Sequence, residues 1–170
     1  MNRVTLELKG MLFEAQVGNV IKKHFPNSYN IFDKSVYSPY LGRVTPIDLI
    51  SITDSGIFVV EAKNWADFIK GNINDDQWVG RGSSKSMMQV VSPFLQNDTH
   101  VRALIDAALR KGIHLPKIVS VICLPDTTVL ETDCDNVVNL SKLPAFIAKN
   151  SISKEKISVM DTVRIINKLE

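Results

Sequence analysis

The stretch from Arg43 to Asn64 constrains the chain more than any other part of it. Thr53-Asp54-Ser55-Gly56 is a turn signal between two apolar runs, so Thr45–Thr53 and Gly56–Lys63 read as strands. Alternation along the second run puts Ile57 and Val59 on one face and Phe58, Val60 and Ala62 on the other. A surface strand, polar on one side, would not read like this. The apolar pattern breaks only at the C-terminal end, where Glu61 and Lys63 enter on the face of Ile57 and Val59.

The register of this hairpin gives the two charges a partner. If Ile52 and Ile57 close it, Asp48 falls opposite Glu61, whereas a slip of one residue would turn Asp48 to the other face. Directly opposed Cβ atoms lie about 4.5–5.5 Å apart, and like charges so placed repel. Two carboxylates at the end of buried strands call for a cation between them, and hard ions that take carboxylate oxygens are Mg²⁺ and Mn²⁺. Lys63 is placed to steady a metal-activated water or a phosphate oxygen.

Around the hairpin, Gly10–His24 has Phe13, Val17, Val20 and Ile21 at helical spacing and stops at Pro26-Asn27-Ser28. Glu14 lies about 20° from Ile21 on the helical wheel, at the flank of the apolar stripe. Tyr29–Val36 is a further strand, and Asp67–Val79 a further hairpin. Gly80–Ser86 has the composition of a flexible loop, and Ser92-Pro93 caps a helix running to Gly112. Lys117–Leu124 and Asn136–Leu140 read as strands, with helices over Leu143–Lys149 and Lys154–Leu169. This order predicts an α/β fold with a central mixed sheet flanked by helices. With 170 residues the chain fits one domain, with a core over about 10–147 and the C-terminal helix beyond it.

Several of these segments together resemble the nuclease-related (NERD) domain family of the PD-(D/E)xK, restriction-endonuclease-like superfamily. They are Gly10–Glu14, Ile47-Asp48, Gly56–Asn64, Trp78 and Ser92–His100, with a weaker echo in Asn136–Leu143. The resemblance runs from about Gly10 to Leu104. It implies metal-dependent cleavage of phosphodiesters, with Asp48 and Glu61 as metal ligands, Lys63 beside the attacking water and Glu14 as the helix-borne carboxylate. Two positions depart from the family pattern: Pro46 stands one place early relative to the usual Pro-Asp, and Phe13 stands where a glycine often precedes the helix glutamate.

On the helix after Pro93, Gln96, His100, Ala103 and Ala107 share one face, and Phe94, Val101, Ile105 and Ala108 form a second, core-like one. Gln96 and His100 are placed to orient a carboxylate or touch a nucleic-acid backbone. Arg81 and Lys85, on the loop, are candidates for holding phosphates. A Walker motif is excluded, because Ser84 and not glycine precedes Lys85.

The remaining composition excludes more than it assigns. Twenty Lys+Arg against eighteen Asp+Glu gives a net charge of +2, which does not by itself announce a nucleic-acid partner. Cys123 and Cys134 form no C-x-x-C pair, and three histidines give no zinc-ligand spacing. No apolar run reaches the ~20 residues of a membrane span and no signal segment is evident, so a cytoplasmic protein is expected. The resulting expectation is a nuclease using Mg²⁺ or Mn²⁺ on nucleic acid, DNA ahead of RNA. A homodimer would let two sites cut both strands. The alternative is a non-cleaving nucleic-acid-binding or regulatory module on the same fold.

Overall fold

The computed structural model describes residues 3–82, 86–151 and 156–169. Helix α1 (Arg3–His24) leads into strands β1 (Tyr29–Ser38), β2 (Arg43–Thr53) and β3 (Gly56–Ala62). Three shorter strands follow: β4 (Phe68–Lys70), β5 (Gln77–Arg81) and β6 (Met87–Val91). Helix α2 (Pro93–Arg110) then precedes β7 (Ile118–Leu124), β8 (Val129–Glu131) and β9 (Val137–Asn139), and helices α3 (Leu143–Asn150) and α4 (Val159–Asn167) come last.

The central sheet has the order β1-β2-β3-β7-β9. It is mixed as predicted: β1, β2 and β3 pair antiparallel, whereas β3–β7 and β7–β9 are parallel. All seven residues of β3 are buried, because helices cover both faces of the sheet. Phe13, Val17 and Ile21 of α1, with Leu143 and Ile147 of α3, pack on Leu49, Phe58 and Val60. On the opposite face, Ala103, Leu104 and Ala107 of α2, with Val163 and Ile166 of α4, pack on Ile50, Ile57 and Val59. Gly18 brings α1 close to the sheet, since a Cβ there would meet the Phe32 ring at 2.6 Å.

A second, four-stranded sheet, β6-β5-β4-β8, stands beside the first. The expected hairpin is its β4–β5 core, with Trp78 fully buried and its indole N–H donating to the Asn72 carbonyl at 3.1 Å. The two outer strands are additions to the sequence reading. β6 is almost wholly exposed and carries no alternation to recognise, and β8 is only three residues long.

Three other expectations need correction. Helix α1 begins at Arg3, not Gly10, because the good helix formers Glu7, Leu8 and Lys9 extend it past that glycine. The last helix starts at Val159 and not at Lys154: the Ile157 N–H is taken by the Asp54 carbonyl at 2.9 Å, and only then does the Ser158 hydroxyl cap the helix. On α2, Ala108, Val101 and Phe94 pack into the core as expected but Ile105 is exposed, and the buried surface extends to Ala103 and Ala107, small residues that let the helix lie close to the sheet. Among the described residues no helix is long and apolar enough to cross a membrane.

Candidate active site

The predicted register of the β2–β3 hairpin is the one observed, from Thr53↔Gly56 through Ile52↔Ile57 to Leu49↔Val60. The ladder ends there, one pair before Asp48 would face Glu61. Continued, it would join Ile47 to Ala62; instead the Ala62 N–H donates to Asp48 Oδ2 at 3.0 Å. The carboxylate thus replaces a backbone carbonyl, and the strands part around it. The β1–β2 ladder skips the same place, passing from Phe32↔Leu49 to Lys34↔Ile47. The residue left out on β1 is Asp33, with φ of 50°, a left-handed conformation that aspartate tolerates better than most residues. Beyond the break, Ile47 packs with Ile50 and Ile52, although strict alternation would place it with Leu49 on the opposite face.

Glu61 is completely buried. Its Oε1 forms an ion pair with Lys63 Nζ, and its Oε2 lies 3.2 Å from His100 Nδ1, an ion pair when the imidazole is protonated. Lys63 also donates to Gln96 Oε1 at 3.1 Å. Gln96 and His100, four residues apart on α2, therefore meet the end of β3 together, as their spacing suggested. The helix is started where this requires by Ser92, whose hydroxyl accepts the Leu95 N–H at 3.4 Å, followed by Pro93.

The electrostatics follow from this crowding. Burial first, and the Glu61 charge second, push the Asp48 carboxyl up to about 6, against the opposing pull of the Ala62 N–H and Lys63. Glu14, on α1, is raised to about 7 by burial and then by Asp48, Asp33 and Glu61. Burial also works against charge on Glu61, but His100 and Lys63 outweigh it and hold that carboxyl below its ordinary value. Four carboxylates thus sense one another, and the structure brings Glu14, Asp48, Glu61, Lys63, Gln96 and His100 to one locality.

Of the two candidates expected on the loop, Arg81 is the last residue of strand β5 and is engaged elsewhere. Arg81 Nε donates to Asp67 at 3.1 Å and its guanidinium lies over the Phe68 ring, 5.5 Å from the centroid. Lys85 lies outside the described residues.

Two contributors escaped the sequence reading. Asp33 is one; its signal was an aspartate inside a strand, where that residue is depleted. The other is Asn97, whose buried Nδ2 lies 2.9 Å from the Val59 carbonyl on β3, 2.9 Å from Ser120 Oγ and 3.1 Å from the Val121 carbonyl on β7. It ties α2 to both strands next to Glu61. An asparagine in register with Val101, Leu104 and Ala108 on an otherwise apolar stripe was the available sign.

Whether a divalent ion suits these residues can be judged from the donors. Asp48 keeps one oxygen clear of its hydrogen bond to Ala62, and repulsion from Glu61 would be relieved by a cation. Among the described residues no three carboxylate, histidine or cysteine groups converge into a closed metal cage. That suits Mg²⁺, which is commonly held by one or two carboxylates and completes its shell with water and substrate oxygens. Beside Asp48, Gln96 and His100 opens a cavity of about 420 Å³, continued by Arg43, Leu41 and Val91.

The family model for the nuclease-related domain matches residues 9–125 of the chain. An uncharacterized protein of Bacillus anthracis is 35% identical over 97 residues, covering 56% of this chain. The match spans 45% of that relative's own length. No solved structure matches the chain.

Proposed function

The chain belongs to the nuclease-related domain family, and on that premise we propose that it is a metal-dependent nuclease hydrolysing phosphodiester bonds of nucleic acid, DNA in preference to RNA. The observation that carries the reading is the parting of β2 and β3 around Asp48. It leaves a carboxylate raised by burial and by Glu61 in the lining of a cavity, with Lys63 and His100 gathered on Glu61 beside it. Such a pair of carboxylates is a ligand set for Mg²⁺ or Mn²⁺, which when bound supplies a Lewis acid for the phosphate and acidifies a water.

Each side chain then has a role. Asp48 and Glu61 would hold the ion. Lys63, paired with Glu61 and donating to Gln96, would stand beside the attacking water and the phosphate oxygens. Gln96 accepts from Lys63 and keeps the ammonium directed into the site, and His100 fixes the rotamer of Glu61. Glu14, beside these carboxylates on α1 and raised to about 7 by burial and then by their charges, is the helix-borne carboxylate of the site.

A cleavage panel tests this: single-stranded, duplex and branched DNA and RNA, each with Mg²⁺, Mn²⁺ or EDTA, comparing wild type with Glu61→Ala. Metal-dependent cutting lost in the variant is the expected result. Nucleic-acid binding without cutting in any metal would replace the reading with that of a binding module.

A further inference from the structure

We propose that the cavity beside Asp48 receives an unpaired nucleobase, so that the strand cut is one whose bases are free next to the scissile phosphate. The inference rests on the nuclease reading and adds the form of the substrate to it. Three pieces of chain bound the cavity: the turn between β1 and β2 with the start of β2, the end of β6, and the first turns of α2. Asp48, Gln96 and His100 line it as well. In a polynucleotide each phosphodiester is flanked by nucleosides, so a pocket abutting the carboxylates is where the nucleoside beside the reacting bond comes to lie.

The lining selects a base over a phosphate. Leu41, Val91 and Leu95 face the cavity with 39%, 67% and 36% of their surfaces exposed. Apolar side chains left in water in the lining of one opening suit the flat faces of a base, which stack on apolar and aromatic groups without regard to sequence. Arg43 is the cation of the cavity, and its guanidinium has no ion pair among the described residues, so it is free to stack on a base or hold the adjoining phosphate. A groove for duplex backbone would be lined by several cations instead, because phosphate neutralisation dominates such binding. At about 420 Å³ the space is in the range of small-ligand pockets, roughly 300–1,000 Å³, and takes a base rather than a helix. In a duplex the base is stacked and paired, and it enters only if it is already unpaired or leaves the helix.

Binding and cutting can be read separately. In EDTA, single-stranded DNA carrying 2-aminopurine is titrated with the full chain, alongside the blunt duplex of the same sequence. The single strand should bind at least about tenfold more tightly and its fluorescence should change on binding. The double variant Leu41→Ala, Val91→Ser alters two exposed side chains; its melting temperature should match wild type, its affinity for the single strand should fall about tenfold, and the fluorescence change should vanish. Equal affinity for both forms, or a fluorescence change that survives the double variant, overturns the inference. In Mn²⁺, a duplex with a single-stranded gap should be cut in the gap. Equal cutting in the paired arms sinks the pocket reading and leaves the nuclease intact. If nothing is cut, the proposed hydrolysis fails, and the binding experiment still decides the pocket.

Discussion

Replacing Asp48 by Asn tests the electrostatic core of the site without emptying it. The amide oxygen can still accept the Ala62 N–H, and only the charge is lost. In the folded chain the Asp48 carboxyl is raised from 3.8 to about 6, so the folded state holds that proton more tightly than the unfolded chain does. The sign follows from linkage: this stabilising contribution is fully present below about pH 4 and is lost as pH rises through about 6. A rise of about two units corresponds to roughly 3 kcal/mol, which solvent screening at a half-buried group and the new amide donors reduce to about 1–3 kcal/mol. At pH 8 in EDTA, Asp48→Asn should therefore melt above wild type, by about 2–4 °C for each kcal/mol in a chain of this size. At pH 4 the two should coincide. Adding Mn²⁺ should raise wild type more than the variant, since a ligand at 100 times its dissociation constant gives about 2.7 kcal/mol. Thermal melts at both pH values, with and without metal, measure all of this. A variant that melts below wild type at pH 8, or an offset independent of pH, would show that Asp48 is a structural acceptor and that the repulsion argument is wrong.

Lys63→Ala should fold, bind Mn²⁺ as wild type does by metal-induced shift in melting temperature, and lose about 100-fold or more in cleavage rate, in the range of lost acid–base groups; unchanged turnover would remove Lys63 from the chemistry. Asn97→Leu removes the donor shared by Val59, Ser120 and Val121, and chemical denaturation should show a loss of about 1–3 kcal/mol, with an unchanged midpoint refuting the clamp. Arg81 is already neutralised by Asp67, so Arg81→Ala should change the slope of log K against log salt by less than the ~0.7–0.9 expected for one lost phosphate contact; a full unit would mean that the ion pair opens on binding.

The parts legible in the sequence were those set by local rules. A four-residue turn signal fixed the β2–β3 register, strand parity put Glu61 and Lys63 together, and helical spacing put Gln96 with His100. What was hidden depends on residues far apart in the chain. The left-handed Asp33 and the turned Asp48 make sense only once β1 and β2 lie side by side, because each skips the ladder at the same place. β6 is held by pairing with β5 and not by a buried face, so hydrophobic alternation had nothing to report. Ile105 misled because α2 buries its alanines, which pack closely, while a larger side chain one step round the helix stays in water.

The hairpin that carries Asp48 and Glu61 also bears on the order in which the chain assembles. It closes on a two-residue turn, the shortest loop the pairing allows, and hairpins of this kind form in about 1–10 μs. Lys63 arrives with the strand, but His100 and Asn97 come only when α2 docks, and Glu14 only when α1 does. The parallel β3–β7 pairing, which buries the far side of Glu61, spans α2 and closes a much longer loop. The repelling pair and the lysine beside it thus come from contacts close in sequence, whereas the histidine on Glu61 and the third carboxylate come from distant ones. The break in the ladder at Asp48 lets the remaining hairpin pairs form without forcing the two charges together.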